Sequence, residues 1–165
     1  MSDKVFVDTN ILVYAHDLDA GKKHRAAAKA ISQLWDTKNG VLSTQVLQEC
    51  YVTLTKKVER PLQRVAVRRL LQSYFSWEVA VNDPQIILQA SEIEEAHNLS
   101  FWDALIVAAA SSKNAAVILT EDLNHGQLIE GIRSYFSGMR AEIKQPPPLP
   151  PMSEGRGSLG GSGWP

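Results

Sequence analysis

Cysteine is almost absent from this 165-residue sequence, which contains Cys50 alone. A single thiol excludes an internal disulfide and any zinc site built from cysteines, and it fits a reducing compartment. The sequence also lacks any run that approaches the about 18 consecutive apolar residues of a membrane helix, and no charged-then-apolar leader precedes the first apolar segment. These absences predict a cytoplasmic protein with no membrane anchor.

A surplus of charge is missing as well, since 17 basic residues stand against 18 acidic ones and the formal net charge is −1. No global basic field therefore attracts nucleic acid, and any such partner must be held by a local patch. What the sequence does have is 44% hydrophobic residues, which is enough for one folded core and excludes a disordered chain.

Short apolar runs alternate with amphipathic segments along the chain. The runs KVFV, VLST, WEVAV and AAVILT are typical of buried strands, and the segments between them are typical of helices. Pro61 is predicted to lie in the first turn of the helix that contains RVAVRRLL, and EDLNHGQLIEG is predicted to form a loop and a short helix. This alternation predicts an α/β fold, a three-layer sandwich with a central, mainly parallel sheet of four to five strands and helices on both faces.

The composition changes at residue 146, where the segment PPPLPPMSEGRGSLGGSGWP begins. Proline, glycine and serine dominate this segment, and it has few side chains to bury. We therefore predict one folded domain over residues 1–145 and a disordered tail over residues 146–165.

Four carboxylates lie where predicted strands end or helices begin. Asp8 directly follows the first strand, and Asp122 comes two residues after the last one. Glu49 is near the start of a helix, and Asp103 is in the first turn of a helix that Ser100 can cap. Taken singly, each acid has an ordinary interpretation as a cap, a turn residue or a solvated helix residue. In a parallel sheet, however, they converge at the carboxyl edge, where a cluster of like charges persists most readily if a cation neutralises it.

The donors of this cluster indicate which cation would bind. Carboxylate oxygens without histidine or cysteine favour Mg²⁺ or Mn²⁺. The four histidines, at positions 16, 24, 97 and 125, lack metal-ligand spacing. Walker-type phosphate loops, Gly-x-Ser-x-Gly and His-Glu-x-x-His are all absent, so metal-dependent hydrolysis is the chemistry that these residues can support.

Four blocks of the sequence, VFVDTNILVY, STQVLQE, LSFWDALIVAAA and ILTEDLNHGQLIEGI, occur in this order and resemble the PIN-domain nucleases, above all the VapC-type toxins of type II toxin–antitoxin pairs. The resemblance covers about Val5 to Ile132. It implies an endoribonuclease that leaves a 5′-phosphate and a 3′-hydroxyl on RNA. It also implies a cognate antitoxin that occupies the acidic groove, and a homodimer of the toxin.

The resemblance also assigns site residues. The family's acidic positions fall on Asp8, Glu49, Asp103 and Asp122. We expect the three aspartates to hold the metal directly or through water, and Glu49 to be either a ligand or the acceptor that orients the attacking water. Supporting polar positions fall on Thr9, Asn10, Ser43 and Asn124, of which the first two would orient the first aspartate and metal-bound water.

The sequence departs from the family pattern after Ile132. Family members end with an apolar return strand, whereas this chain reads RSYFSGMRAEIKQPPP, in which only about AEI is predicted to pair with the sheet. No acidic site residue is expected in this region.

An acidic pocket repels RNA, so basic groups must surround it. One basic stretch has only Glu59 as a counter-charge, and its interpretation as an RNA surface competes with that of an ordinary solvated face. Trp102, beside Asp103, is predicted to pack in the core. The basic stretch comprises Lys56, Lys57, Arg60, Arg64, Arg68 and Arg69.

Two other functions remain open at this point. An aspartyl-phosphate phosphotransferase also has a strand-end aspartate, but such enzymes place a second aspartate two positions later, where this chain has Asn10. A PIN-like binding module without catalysis would act through partner contact, although the presence of all four acids argues against a decayed site.

Overall fold

The computed structural model describes residues 3–135. The predicted domain boundary at residue 145, the predicted tail and the AEI segment lie outside these residues. The helices are α1 Thr9–His16, α2 Lys22–Thr37, α3 Thr44–Lys56, α4 Arg64–Tyr74, α5 Pro84–His97 and α6 Phe101–Ser112, with a 3₁₀ turn at Leu18–Ala20. The strands are β1 Val5–Val7, β2 Gly40–Ser43, β3 Glu78–Ala80, β4 Val117–Leu119, β5 Leu128–Ile129 and β6 Ile132–Tyr135.

The strands form one sheet in the order β3-β2-β1-β4-β6-β5. Every neighbouring pair is parallel except β5 and β6, which are antiparallel. The chain moves outward from β1 to β2 and β3, then crosses back to β4 on the other side of β1. The strand order therefore reverses between β1 and β4, and ligands of open α/β sheets bind at the carboxyl ends of the strands at such a reversal.

The helices divide between the two faces of the sheet. Helices α1 to α4 belong to the outward crossovers, where α1 packs against both α2 and α3 and α3 packs against α4, whereas α5 and α6 belong to the return crossover and pack together. Because parallel crossovers are right-handed, opposite directions of travel place the two groups on opposite faces. The predicted α/β sandwich is confirmed, and within residues 3–135 its sheet has six strands, one more than the predicted upper number.

The core lies on both faces of the sheet. Phe6 and Leu42 are fully buried in β1 and β2, and α6 buries every residue from Ala104 to Ala110. Helix α6 has no polar stripe over this stretch because it is enclosed between the sheet and α5. The helix that carries Asp103 at its start is thus one of the most firmly packed elements of the molecule.

The segment after β4 differs from its sequence-based prediction. It contains no helix; instead Leu128–Ile129 and Ile132–Tyr135 form a hairpin whose two central residues, Glu130 and Gly131, have φ values of 51° and 76°. Positive φ at both central positions is the pattern of a type I′ turn, which matches the twist of the flanking strands. Strand β6 then pairs parallel with β4, so IRSY extends the sheet, a pairing that the sequence analysis did not predict.

Pro61 also lies outside its predicted helix. Helix α3 ends at Lys56 and α4 begins at Arg64, so the proline sits in the connection between them. Leu62 donates its backbone N–H to the Leu54 carbonyl across this connection, which folds it back onto α3. No helix within residues 3–135 is long and apolar enough to cross a membrane.

Candidate active site

The residues Asp8, Thr9 and Asn10 join β1 to α1 at the carboxyl edge of the sheet. Asp8 caps α1, because its Oδ1 accepts the backbone N–H of Thr9 at 2.6 Å. The backbone N–H of Asp8 donates to the Leu119 carbonyl of β4 at 2.9 Å, which fixes the start of α1 at the reversal point. The aspartate between two apolar runs is therefore both a helix cap and a group held at the expected ligand-binding edge.

Thr9 and Asn10 each contact a different acidic residue. Thr9 donates its hydroxyl to Glu49 Oε2 at 2.8 Å, and Asn10 donates its side-chain amide to Asp122 Oδ2 at 3.1 Å. Glu49 is also held from its own helix, because Gln45, one turn earlier, donates Nε2 to its Oε1 at 3.0 Å. The side chains of Thr9 and Asn10 therefore orient Glu49 and Asp122 rather than the first aspartate, which was the expected partner, and Thr9 contacts that aspartate through its backbone N–H.

Thr120 connects the first and last aspartates and was not among the predicted site residues. Its buried hydroxyl donates to Asp8 Oδ2 at 2.7 Å and accepts the backbone N–H of Asp122 at 3.0 Å. The chain of contacts Glu49–Thr9–Asp8–Thr120–Asp122–Asn10 then returns to α1 beside Thr9. Three of the four predicted acids therefore belong to one hydrogen-bonded network.

Asp103 reaches this group from the other face of the sheet. Ser100 caps α6 by accepting the Asp103 backbone N–H at 3.1 Å, and its hydroxyl donates to Asp103 Oδ2 at 2.7 Å. The predicted capping by Ser100 is confirmed. Asp103 is near enough to Asp122 to raise the pKa of that carboxyl, so the fourth acid joins the cluster electrostatically.

The environment of the pocket disfavours the charged forms of its carboxyl groups. Burial raises the pKa of Asp8 from 3.8 to about 6 and outweighs the hydrogen bonds from Thr120 and Thr9, which lower it, while Asp122 and Glu49 add smaller increases. Partial burial, followed by Asp103, Glu121 and Glu49, raises the pKa of Asp122. A neighbouring cation would offset both effects because it favours the charged forms.

The donor set fits a hard dication held partly through water. Within residues 3–135, no three histidine, cysteine or acidic side chains form a ready-made ligand group. Spacers such as Thr9 and Thr120 instead separate the carboxylates. Mg²⁺ keeps several of its waters and commonly uses only one or two carboxylates directly, which suits acids spread around a pocket.

The remaining predicted supporting residues have mainly structural contacts. Ser43 is fully buried and caps α3 by accepting the Val46 backbone N–H at 3.3 Å. Asn124 donates its backbone N–H to Gln127 Oε1 at 3.3 Å, and its carbonyl accepts the Ser134 hydroxyl. Ser43 thereby orients the helix that bears Glu49, whereas Asn124 shapes the turn before the hairpin.

The basic stretch continues from the end of α3 into α4. Its six side chains are exposed, and Lys56 lies seven residues beyond Glu49, about 10 Å farther along the helix axis. Arg60 forms an ion pair with Asp19, so its charge is already matched. Arg64 and Arg68 lie one turn apart on α4, where they can face one ligand together.

Trp102 is not a core residue, contrary to its prediction. Its side chain is 63% exposed, and it contacts the ring of Phe101 edge-on with 5.6 Å between centroids. The residue next to Asp103 in the first turn of α6 therefore faces solvent.

A separate cavity of about 340 Å³ lies at the opposite edge of the sheet. It is formed around the amino ends of β1, β2 and β3, and its walls include Trp35, Trp77 and Lys38. None of the four carboxylates lines it. The acidic cluster and this cavity are therefore distinct features of the molecule.

The fold and the pocket define a class of protein: a three-layer α/β domain with a carboxylate cluster at the carboxyl edge of its sheet, where the strand order reverses. The sequence profile of the PIN domain family matches residues 5–128, and the chain belongs to this family. The predicted family resemblance is confirmed. No curated protein sequence matches the chain.

Several solved structures share the fold. A toxin–antitoxin complex from Klebsiella pneumoniae is 20% identical with a TM-score of 0.59, and the match covers 78% of this chain and 95% of that one. VapC20 from Mycobacterium tuberculosis, described as a sarcin–ricin loop cleaving toxin, is 20% identical with a TM-score of 0.58 and coverage of 79% and 99%. A DNA-bound VapBC from Salmonella typhimurium is 20% identical with a TM-score of 0.57 and coverage of 81% and 97%. At this identity the likeness shows a common fold.

Proposed function

We propose that this protein is an endoribonuclease that uses Mg²⁺ or Mn²⁺ to hydrolyse RNA phosphodiester bonds. The observation that carries the proposal is the network in which Asp8, Thr9 and Asn10 connect to Glu49 and Asp122. Carboxylates that lie close together repel one another, and a bound cation would offset this repulsion. Carboxylates with perturbed pKa values in such a cluster are typical of functional sites. The PIN family and the fold shared with VapC structures support the same function.

Each acidic residue has a role that follows from its contacts. Asp8, fixed on both oxygens, Asp122, held by Asn10, and Asp103, held by Ser100, are the proposed ligands, directly or through water. When bound, a dication lowers the pKa of a coordinated water and stabilises charge on the transferring phosphate. Glu49 keeps one oxygen on Thr9 and one on Gln45, and it either binds the cation or accepts a proton from the attacking water.

The proposed biological setting is a toxin–antitoxin pair. The solved neighbours include toxin–antitoxin complexes, two of them described as bound to DNA, and this supports a cognate antitoxin for the present chain. We extend the proposal to a toxin homodimer in the cytoplasm, where the buried, unpaired thiol of Cys50 stays reduced.

Cleavage of a mixed RNA substrate tests the activity. We expect the purified protein to cut RNA with Mg²⁺ or Mn²⁺, and Asp8→Asn or excess EDTA to abolish the cuts. Activity that survives both treatments would come from a contaminating nuclease, and a lack of cutting under every condition would favour a binding module. Mapping RNA ends in cells after brief induction of wild type and Asp8→Asn would then identify the target.

A further inference from the structure

Tyr14, Lys23 and Glu121 form a cluster beside the acidic pocket whose purpose the proposed reaction leaves unexplained. Tyr14 donates its hydroxyl to Glu121 Oε2 at 2.7 Å, and Lys23 Nζ lies 3.0 Å from Glu121 Oε1. Lys23 Nζ also donates to the Tyr14 hydroxyl at 3.3 Å and lies 4.9 Å from the centre of its ring. Both oxygens of Glu121 are therefore occupied, and its charge has a matched cation.

The cluster joins three separate elements at one point. Tyr14 is on α1, Lys23 is in the first turn of α2, and Glu121 is in the segment that leaves β4. The Glu121 side chain is only 14% exposed, so its carboxylate is stabilised by specific partners rather than by water. This contact restricts the segment after β4, which is also held by the bonds of Asp122 to Asn10 and Thr120 and by backbone bonds to the hairpin.

The position of Tyr14 on α1 links this contact to the site. Asn10 and Tyr14 are four residues apart, so they lie one above the other on the same face of the helix. Asn10 holds Asp122 and Tyr14 holds Glu121, so α1 contacts two consecutive residues of one segment through two successive turns. Two contacts set both the position and the direction of that segment, whereas one contact would leave it free to rotate.

We propose that Tyr14 and Lys23 are positioning residues that act through Glu121 to fix the Asp122 carboxylate in the cation site. This inference deepens the proposed nuclease function and rests on it for the role of the cation. Lys23 also pairs with Glu121, so that the charge of this fifth carboxylate next to Asp122 is matched by a cation. In metal proteins, removing a partner of this kind commonly lowers metal affinity by about 10- to 100-fold.

Tyr14→Phe is the most selective test because it deletes one hydroxyl and keeps the ring. Tyr51→Phe, at a half-buried tyrosine on α3, is the matched control. The first readout needs no metal: hydrogen exchange of the Asp122 amide, which donates to Thr120. We expect exchange about 10-fold faster in Tyr14→Phe and unchanged in Tyr51→Phe, with equal thermal midpoints to show that both variants fold.

The second readout is Mn²⁺ affinity by calorimetry. We expect affinity about 10-fold weaker in Tyr14→Phe, no change in Tyr51→Phe, and a smaller loss in Glu121→Gln, which keeps an acceptor for the tyrosine. Wild-type values in Tyr14→Phe for both readouts would overturn the proposal. A loss in Glu121→Gln as large as in Asp122→Asn would also overturn it, because Glu121 would then be a ligand itself. If wild type takes up no Mn²⁺ but Tyr14→Phe still accelerates exchange at Asp122, the nuclease function fails while the positioning role stands.

Discussion

Asp8 is the carboxyl group of the pocket whose surroundings most strongly disfavour its charged form. Its pKa in the folded protein is about 6 against 3.8 for an ordinary aspartate, so the folded state binds a proton more tightly than the unfolded chain does. Stability contributed by this proton is present below about pH 4 and is lost as the pH rises toward 6. The shift corresponds to about 3 kcal/mol, all of which a metal-free protein has lost at neutral pH.

Asp8→Asn should remove this pH dependence, since an amide has the shape of the neutral acid and never ionises. We expect the unfolding free energy of the variant, relative to wild type, to rise by about 2.4 kcal/mol between pH 4 and pH 7 when EDTA is present. Urea unfolding at several pH values measures this difference directly. A gap between the two proteins that stays constant over this range would contradict the assignment of the charge to Asp8.

Thr120 offers a second test at the residue scale. Thr120→Val keeps the shape of the side chain but removes the hydroxyl that donates to Asp8 and accepts from Asp122. We expect a loss of about 1–3 kcal/mol in unfolding free energy, because a buried donor and acceptor lose their partner, together with a further rise in the pKa of Asp8. Thr120→Ser, which retains the hydroxyl, should lose less than half as much. Equal losses in the two variants would show that the methyl group matters rather than the network.

The site residues that the sequence predicted are those whose position relative to a predicted strand or helix already indicates that they lie at the sheet edge. Asp8 and Asp122 each follow an apolar run, so a parallel sheet brings them to one edge. Thr120 has no such signal, since threonine is common in strands and only the fold places it between two aspartates. The sequence predicts that Trp102 packs in the core and fixes the start of α6, whereas its side chain is exposed, because only the fold decides which side of a mainly apolar helix meets solvent.

At the scale of elements, the basic face of α4 is the feature with a measurable consequence. Arg64 and Arg68 are exposed one turn apart, and each phosphate contact contributes to the salt dependence of RNA binding. We expect Arg64→Glu with Arg68→Glu to weaken binding of RNA to the Asp8→Asn protein and to reduce the slope of log affinity against log salt by about 2.

Arg25→Glu with Lys29→Glu is the matched control, because it reverses two exposed charges one turn apart on α2. The comparison must be made at several salt concentrations, since a single affinity does not separate contacts from net charge. If both double variants change the slope equally, the effect comes from overall charge, and α4 has no special place in RNA binding.

The sequence predicted secondary structure correctly where a periodic apolar pattern was long. The prediction was wrong where the conformation of a short turn determined which element formed. Helices α5 and α6 lie in segments that the sequence predicts to be helical, and the predicted cap at Ser100 is present, whereas the cap of α5 at Asp83 is seen only in the structure. The hairpin after β4 was missed because its turn places Glu130, rather than the usual asparagine or aspartate, at a positive φ. The short strands on either side bury alternate residues, a pattern too brief to distinguish from a helical turn.

At the scale of the whole molecule, the site exists only when the fold is complete. Two of its acids, Asp8 and Asp122, follow the neighbouring strands β1 and β4. Glu49 comes from α3 on one face of the sheet, and Asp103 comes from α6 on the other face. The unfolded chain separates these groups, so a cation that binds them binds the native state alone. Cation binding and global stability are therefore linked, and the linkage measures whether the four elements act as one site.

Saturating Mn²⁺ should consequently stabilise the protein by an amount that depends on pH. At a free Mn²⁺ concentration of 100 times its dissociation constant, we expect a gain of about 2.7 kcal/mol in unfolding free energy at pH 7. The same concentration should stabilise less at pH 5, because Asp8, with a pKa of about 6, is then mostly protonated and a proton competes with the cation. Urea unfolding with and without Mn²⁺ gives both values, and Asp8→Asn should show little gain at either pH. An equal gain at pH 5 and pH 7, or in Asp8→Asn, would place the bound cation somewhere other than the carboxyl edge of the sheet.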